Sequence, residues 1–146
     1  MTTGGSGVMQ TELAILGGSG ALGGGLALRA ARAGIPVVIG SRTAEKAAEA
    51  AASVAAVVPG AAVRGAENLA AARDGGMVLV AVPFASQAET LAAIGPHVAG
   101  KIVVDTTVPL VPPRVARVQM PPEGSAAACA ARALGPDVRL VTAFHN

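Results

Sequence analysis

Tryptophan and tyrosine are missing from the 146 residues, and phenylalanine occurs only at Phe84 and Phe144. With so few aromatics, neither a base-stacking platform for single-stranded nucleic acid nor the aromatic belt of a membrane protein can be built. Cysteine occurs once, at Cys129 in an alanine-rich run. That excludes a disulfide framework and a thiolate metal cluster, and makes a reduced, cytoplasmic setting the expectation. Charge is scarce too: eleven Lys and Arg against nine Asp and Glu leave a formal charge of +2, with the basic residues scattered rather than gathered in a stripe. No nucleic-acid partner is expected from that pattern. Arg29, Arg32, Glu45, Lys46 and Glu49 interrupt every long apolar run, and the first residues do not read as a signal peptide, so no membrane partner is expected either. His97 and His145 stand alone and define no metal site.

What the chain does have is aliphatic bulk, with 52% hydrophobic residues against 14% charged. This balance suits one domain whose parallel sheet is covered on both faces by helices. Residues 1–10, with Gly4, Gly5, Ser6 and Gly7, read as a flexible leader, and 11–146 as the folded domain. Short apolar or β-branched runs at 11–16, 37–39, 61–64, 77–82, 102–105 and 138–144 read as strands. Helical spacing occupies 21–33, 43–58, 67–73, 86–94 and 125–134. Strict alternation with right-handed crossovers predicts an α/β fold, a doubly wound parallel sheet, and six strands in the order 3-2-1-4-5-6 is the dinucleotide-binding version of it. Residues 106–124, rich in proline, form a long loop at the carboxyl edge of that sheet, where ligands bind in such folds.

Gly18-Ser19-Gly20-Ala21-Leu22-Gly23 fits G-x-G-x-x-G, follows a predicted strand and opens a predicted helix. In that context Gly18 permits the tight turn, Gly20 lets a pyrophosphate approach the backbone, and Gly23 lets helix and strand pack closely. Free N–H groups at the helix start, those of Ser19, Ala21 and Leu22 among them, would face the phosphates. A P-loop and a nucleophile elbow are also strand-turn-helix devices, but no lysine follows Gly23, and Ala21 stands where a G-x-S-x-G centred on Ser19 needs glycine. The reading is therefore a Rossmann-type dinucleotide-binding domain.

An NAD-specific domain carries Asp or Glu at the end of the second strand to bind the ribose 2′-hydroxyl. Here that end reads Gly40-Ser41-Arg42. Arg42 can clamp a 2′-phosphate bidentately, Ser41 can hydrogen-bond it, and Lys46 adds charge, so NADP(H) is the expected cofactor. Glu45 belongs to the first turn of the second helix, where a carboxylate complements the helix dipole. At the other end of the cofactor, Val82-Pro83-Phe84 follows the fourth strand and His145 follows the sixth; Asp105, closing the fifth, reads as a loop hydrogen-bonding residue.

The runs Ala14-Ile15-Leu16-Gly17-Gly18-Ser19-Gly20, Gly25-Leu26-Ala27-Leu28-Arg29, Val38-Ile39-Gly40-Ser41-Arg42 with Glu45-Lys46, and Thr142-Ala143-Phe144-His145 together resemble the NADPH-dependent coenzyme F420 reductase family, also called F420H2:NADP oxidoreductase. The resemblance implies a hydride passed directly between NADP(H) and the deazaflavin coenzyme F420. It implies 2′-phosphate contacts at Ser41, Arg42 and Lys46, nicotinamide contacts near Val82, Pro83 and Ala143, and a deazaflavin-side role for His145, with no compulsory general acid. Similar proteins continue into a smaller helical C-terminal region that helps form the second-cofactor pocket and a homodimer; this chain stops at Asn146, so cofactor binding is the function expected of it. Two other readings use the same domain: an NADP-linked reductase of a small imine or 3-hydroxy acid, and a non-catalytic NADP(H) sensor.

Overall fold

The computed structural model describes residues 11–110, 112–113 and 117–145; the leader at 1–10 and part of the proline-rich loop lie outside the described residues. Strands β1 (Leu13–Leu16), β2 (Val37–Ser41), β3 (Val63–Glu67), β4 (Met77–Val80), β5 (Ile102–Asp105) and β6 (Arg139–Thr142) alternate with helices α1 (Ala21–Arg32), α2 (Ala44–Val57), α3 (Asn68–Asp74), α4 (Gln87–Ile94) and α5 (Ala126–Leu134). All five strand pairings are parallel, in the order β3-β2-β1-β4-β5-β6. This is the doubly wound arrangement that the alternation of patterns predicts.

Period-2 alternation divides the core. Ala14 and Leu16 of β1, Val38 of β2, Val78 and Val80 of β4 and Val103 of β5 point to one face, where Ala71, Ala72, Leu91, Ile94, Ala130 and Leu134 of α3, α4 and α5 cover them. Ile15, Val37, Ile39 and Leu79 point to the other, under Ala27, Ala30, Ala31, Ala51 and Val54 of α1 and α2. Burying each of the branched side chains contributes about 1.5–3 kcal/mol relative to leaving it exposed. The helices present mostly alanine to the sheet, so they can sit close. At the tightest point, a Cβ placed on Gly65 of β3 would lie 2.4 Å from the backbone of Ala47 in α2.

Helix ends follow local chemistry. Thr43 caps α2 by accepting from Lys46 N at 3.4 Å, and Ser125 caps α5 by accepting from Ala128 N at 3.0 Å. Glu45 sits in the first turn of α2 and Arg29 and Arg32 in the last turn of α1, the placements the helix dipole favours. Several strands are shorter than their apolar runs. β4 ends at Val80, because the chain turns away through Pro83 into a 3-10 turn at Phe84–Ser86, and β6 ends at Thr142 rather than reaching residue 144. β3 begins at Val63 and runs on to Glu67, later than the run at 61–64. Within the described part of the proline-rich loop, Leu110 and Val118 form an isolated antiparallel bridge. No helix among the described residues is long and apolar enough to cross a membrane.

Candidate dinucleotide site

β1 and β4 are neighbours in the sheet, yet the chain leaves them toward opposite faces, α1 to one side and α4 to the other. Such a divergence opens a crevice beyond the carboxyl ends of the strands. Here the crevice is a cleft of about 850 Å³. The β1–α1 turn and the end of β2 wall one end, and the segments after β4, β5 and β6 wall the other.

The turn is built by glycine backbone. Its left-handed residue is Gly17, at φ +73°, whereas the sequence reading gives the tight-turn role to Gly18. Gly17 also lies where a Cβ would come 2.8 Å from Ala81 O in the chain leaving β4. Gly18 must be glycine for a different reason: it is buried, and a Cβ there would meet Ile15 O and Ile39 Cγ2, each at 2.8 Å. Gly23 is buried as well, with backbone atoms of Gly17 and Gly18 at 2.6–2.7 Å from a would-be Cβ. Gly18 and Gly23 therefore shape the turn from beneath, and neither lines the cleft.

Ser19, Gly20, Ala21 and Leu22 do line it. A Cβ on Gly20 would meet only Gly17 O, at 3.3 Å, so the outer face of the turn is open. Gly20 begins α1 with no side-chain cap and no acidic residue in the first turn, unlike α2 and α5 under their hydroxyl caps. The first N–H groups of a helix have no intrahelical partner, and together with the dipole they favour an anion. The phosphate chemistry expected of the glycine pattern fits this cradle.

Ser41 and Arg42 stand beside the turn at the end of β2, Ser41 buried and Arg42 exposed, and both line the cleft. The Ser41 hydroxyl lies 3.1 Å from that of Ser19. Lys46, exposed on the first turns of α2, stands outside the lining. At the opposite end, Val82, Pro83 and Phe84 border the cleft, with Phe84 half-buried rather than in the core. His145 and its neighbour Phe144 complete that rim, while Ala143 lies behind it, its N–H donating to Asp105 O at 3.2 Å. His97 is exposed in the 3-10 turn Gly95–His97, away from the cleft.

Several residues here have no signal in the local sequence. Asn68, at the start of α3, accepts from Gly17 N at 3.3 Å across 51 positions and thereby fixes the glycine turn from the side. Glu67, whose Cα is in register with Ser41, places a carboxylate on the cleft wall one strand beyond the position read for NAD specificity. Thr106 holds β4 and β5 together at their ends by donating from its hydroxyl to Val80 O at 2.9 Å. Gln87, buried at the start of α4, donates to Asp105 Oδ2 at 2.7 Å and to Ala126 O at 3.0 Å. Asp105 is thus the hydrogen-bonding residue expected of it, fully buried rather than in a loop. Among the described residues no cluster of three His, Cys, Asp or Glu is placed to hold a metal ion.

Strand order, crossovers and glycine turn define the chain as a domain of the Rossmann fold. Residues 12–109 match the model of the family described as NADP oxidoreductase coenzyme F420-dependent, and the chain belongs to that family. It is 42% identical over 145 residues to the F420-dependent NADP reductase of Methanothermobacter thermautotrophicus, covering 95% of this chain and 62% of the relative. Identity to the enzyme of the same name from Methanocaldococcus jannaschii is 36% over 142 residues, covering 92% and 63%. The chain therefore spans just under two thirds of the length of these relatives. Among solved structures, a protein from Arthrobacter sp. FB24 assigned as an F420-dependent NADP-reductase superposes with a TM-score of 0.74 at 28% identity, over 90% of this chain and 61% of that one. Lactate dehydrogenase from Eimeria maxima, at 16% identity and a TM-score of 0.66 over 88% of this chain and 42% of that one, shares the fold alone.

Proposed function

We propose that this chain is the NADP(H)-binding part of an oxidoreductase that couples NADP(H) to the deazaflavin coenzyme F420. The observation that carries the reading is the open, uncapped start of α1 facing a cleft whose corner is held by Ser41 and Arg42. The names of its relatives, F420-dependent NADP reductase, support the choice of second substrate.

In this reading the amides of Ser19, Ala21 and Leu22 hold the pyrophosphate, and Gly20 lets it approach. Arg42 clamps the 2′-phosphate, Ser41 hydrogen-bonds it, and Lys46 contributes charge from α2. Val82, Pro83 and Phe84 wall the nicotinamide, which keeps water from one of its faces. Ala143 supports, and His145 borders, the side on which the deazaflavin would stack. When bound, NADPH supplies a hydride from C4 of its nicotinamide that the deazaflavin takes at C5, a direct transfer for which the protein's task is distance and orientation.

The test is an absorbance assay of deazaflavin reduction, run with NADPH and with NADH on a chain of the relatives' full length. Reduction driven by NADPH and only weakly by NADH is the expected result. Nucleotide binding without deazaflavin reduction would favour a sensor, and reduction of an imine or 3-oxo acid instead would favour a different reductase.

A further inference from the structure

Asp105, the last residue of β5, is fully buried, and donors alone meet it. Its Oδ1 accepts from Thr107 N at 3.1 Å, and its Oδ2 accepts from the Thr107 hydroxyl at 2.9 Å and from Gln87 Nε2 at 2.7 Å. This acceptor-only pattern is that of an ionised carboxyl group. Among the described residues no cation pairs with it: the ion pairs there are Arg64 with Glu12 and Asp74, Arg73 with Asp74, and Arg132 with Glu123. Gln87, 2% exposed, also donates to the carbonyl of Ala126, so the first residues of α4 and α5 fix the donor that meets the carboxylate, and its three hydrogen bonds make its burial tolerable.

A buried charge with no ion-pair partner among the described residues is an expensive way to end a strand, since an apolar or hydroxyl side chain at position 105 would complete β5 without it. Its location gives it a use. Thr106 and Thr107, the next two residues, line the cleft at the end opposite Ser41 and Arg42. In a doubly wound sheet that end, beyond the switch point, receives the nicotinamide half of a dinucleotide. The nicotinamide ring is a cation in NADP+ and neutral in NADPH, and a carboxylate shielded from water is felt across the cleft wall with little screening.

We propose that Asp105 is a specificity-determining charge that makes the cleft hold the oxidised, cationic nicotinamide more tightly than the reduced one; the proposal rests on the NADP(H) reading of the site. Tighter binding of the oxidised form lowers the reduction potential of the bound pair, so the chain favours NADPH as hydride donor. Gln87 acts through Asp105 as a positioning residue, fixing the carboxylate and offsetting part of its charge.

The test is calorimetric titration of the 146-residue chain with NADP+ and with NADPH, read as the ratio of the two dissociation constants. Asp105→Asn should weaken NADP+ about tenfold and leave NADPH within about twofold. Tenfold corresponds to about 30 mV in the potential of a two-electron pair. Gln87→Met leaves the carboxylate in place with one donor fewer, so it should move the ratio the opposite way, toward NADP+, and it keeps the idea testable should the Asn variant not fold. A purely structural role for the cluster would weaken both nucleotides alike, and a ratio unchanged in either folded variant overturns the proposal. Failure of the unaltered chain to bind either nucleotide overturns the NADP(H) reading itself, and this inference with it.

Discussion

The hydroxyl oxygens of Ser19 and Ser41 lie 3.1 Å apart, joining the glycine turn after β1 to the end of β2. One residue belongs to the proposed pyrophosphate cradle and the other to the proposed 2′-phosphate corner, so these two parts of the cleft are held in fixed relation before any ligand arrives. Preorganisation of this kind lowers the ordering cost of binding. Ser41→Ala removes both the link and the proposed phosphate donor, and should weaken NADPH by about 1 kcal/mol in a calorimetric titration.

The glycines of α1 separate into those that packing requires and those it does not. A methyl group on Gly23 would meet backbone of Gly17 and Gly18, so Gly23→Ala should destabilise by about 1–3 kcal/mol and distort the nucleotide cradle. Gly25 is exposed with nothing within 4 Å of a would-be Cβ. Gly25→Ala should therefore stabilise the domain by about 0.5–1 kcal/mol, and denaturant unfolding of the two variants should show these opposite signs.

Lys101 works at the far edge of the sheet from the cleft. Its ammonium donates to the carbonyls of Ala72, Arg73 and Gly75 at 2.9, 2.7 and 2.7 Å, tying the end of α3 to the start of β5. Partial burial pulls its pKa below the usual lysine range, with the charge of Asp74 opposing. Lys101→Met keeps the apolar stem and loses the donors, and a loss of about 1–3 kcal/mol is expected from denaturant unfolding, with NADPH affinity unchanged.

Cys129 should be a sluggish nucleophile. Removal of the thiol from water raises its pKa, and its hydrogen bond to Glu123 Oε2, at 3.4 Å, adds to the effect. Alkylation by iodoacetamide near neutral pH should be slower than for a free cysteine, because the thiolate is the reactive form. Glu123→Ala removes the second cause and leaves the first, so it should recover part of the rate, measured by mass spectrometry.

How much of this was legible beforehand depended on whether the determinant was local. Val37, Val38 and Ile39, followed by Gly40-Ser41-Arg42, announce a buried strand and its cleft-lining end within six residues. Alternation and crossover handedness give the doubly wound sheet, and the glycine pattern after β1 selects the order 3-2-1-4-5-6 from the orders such a sheet can take. By contrast, whether Gly17 or Gly18 takes the left-handed position depends on where Ala81 passes, and nothing nearby in the chain reveals that. Asn68 and Gln87 read as ordinary helix-start residues, since their partners lie 51 and 18 positions away. Strand ends were overrun at β4 and β6 because apolar residues continue past the last ladder bond to line the cleft, as Val82 does, or its rim, as Phe144 does at 49% exposure.

The central claim is that Arg42 recognises a phosphorylated adenosine ribose. Titrations of the unaltered chain and of Arg42→Ala with NADPH and with NADH test it in one set of four measurements. The account predicts a loss of about 1.5–3 kcal/mol for NADPH and almost none for NADH. Equal losses for the two nucleotides, or none for either, would contradict it.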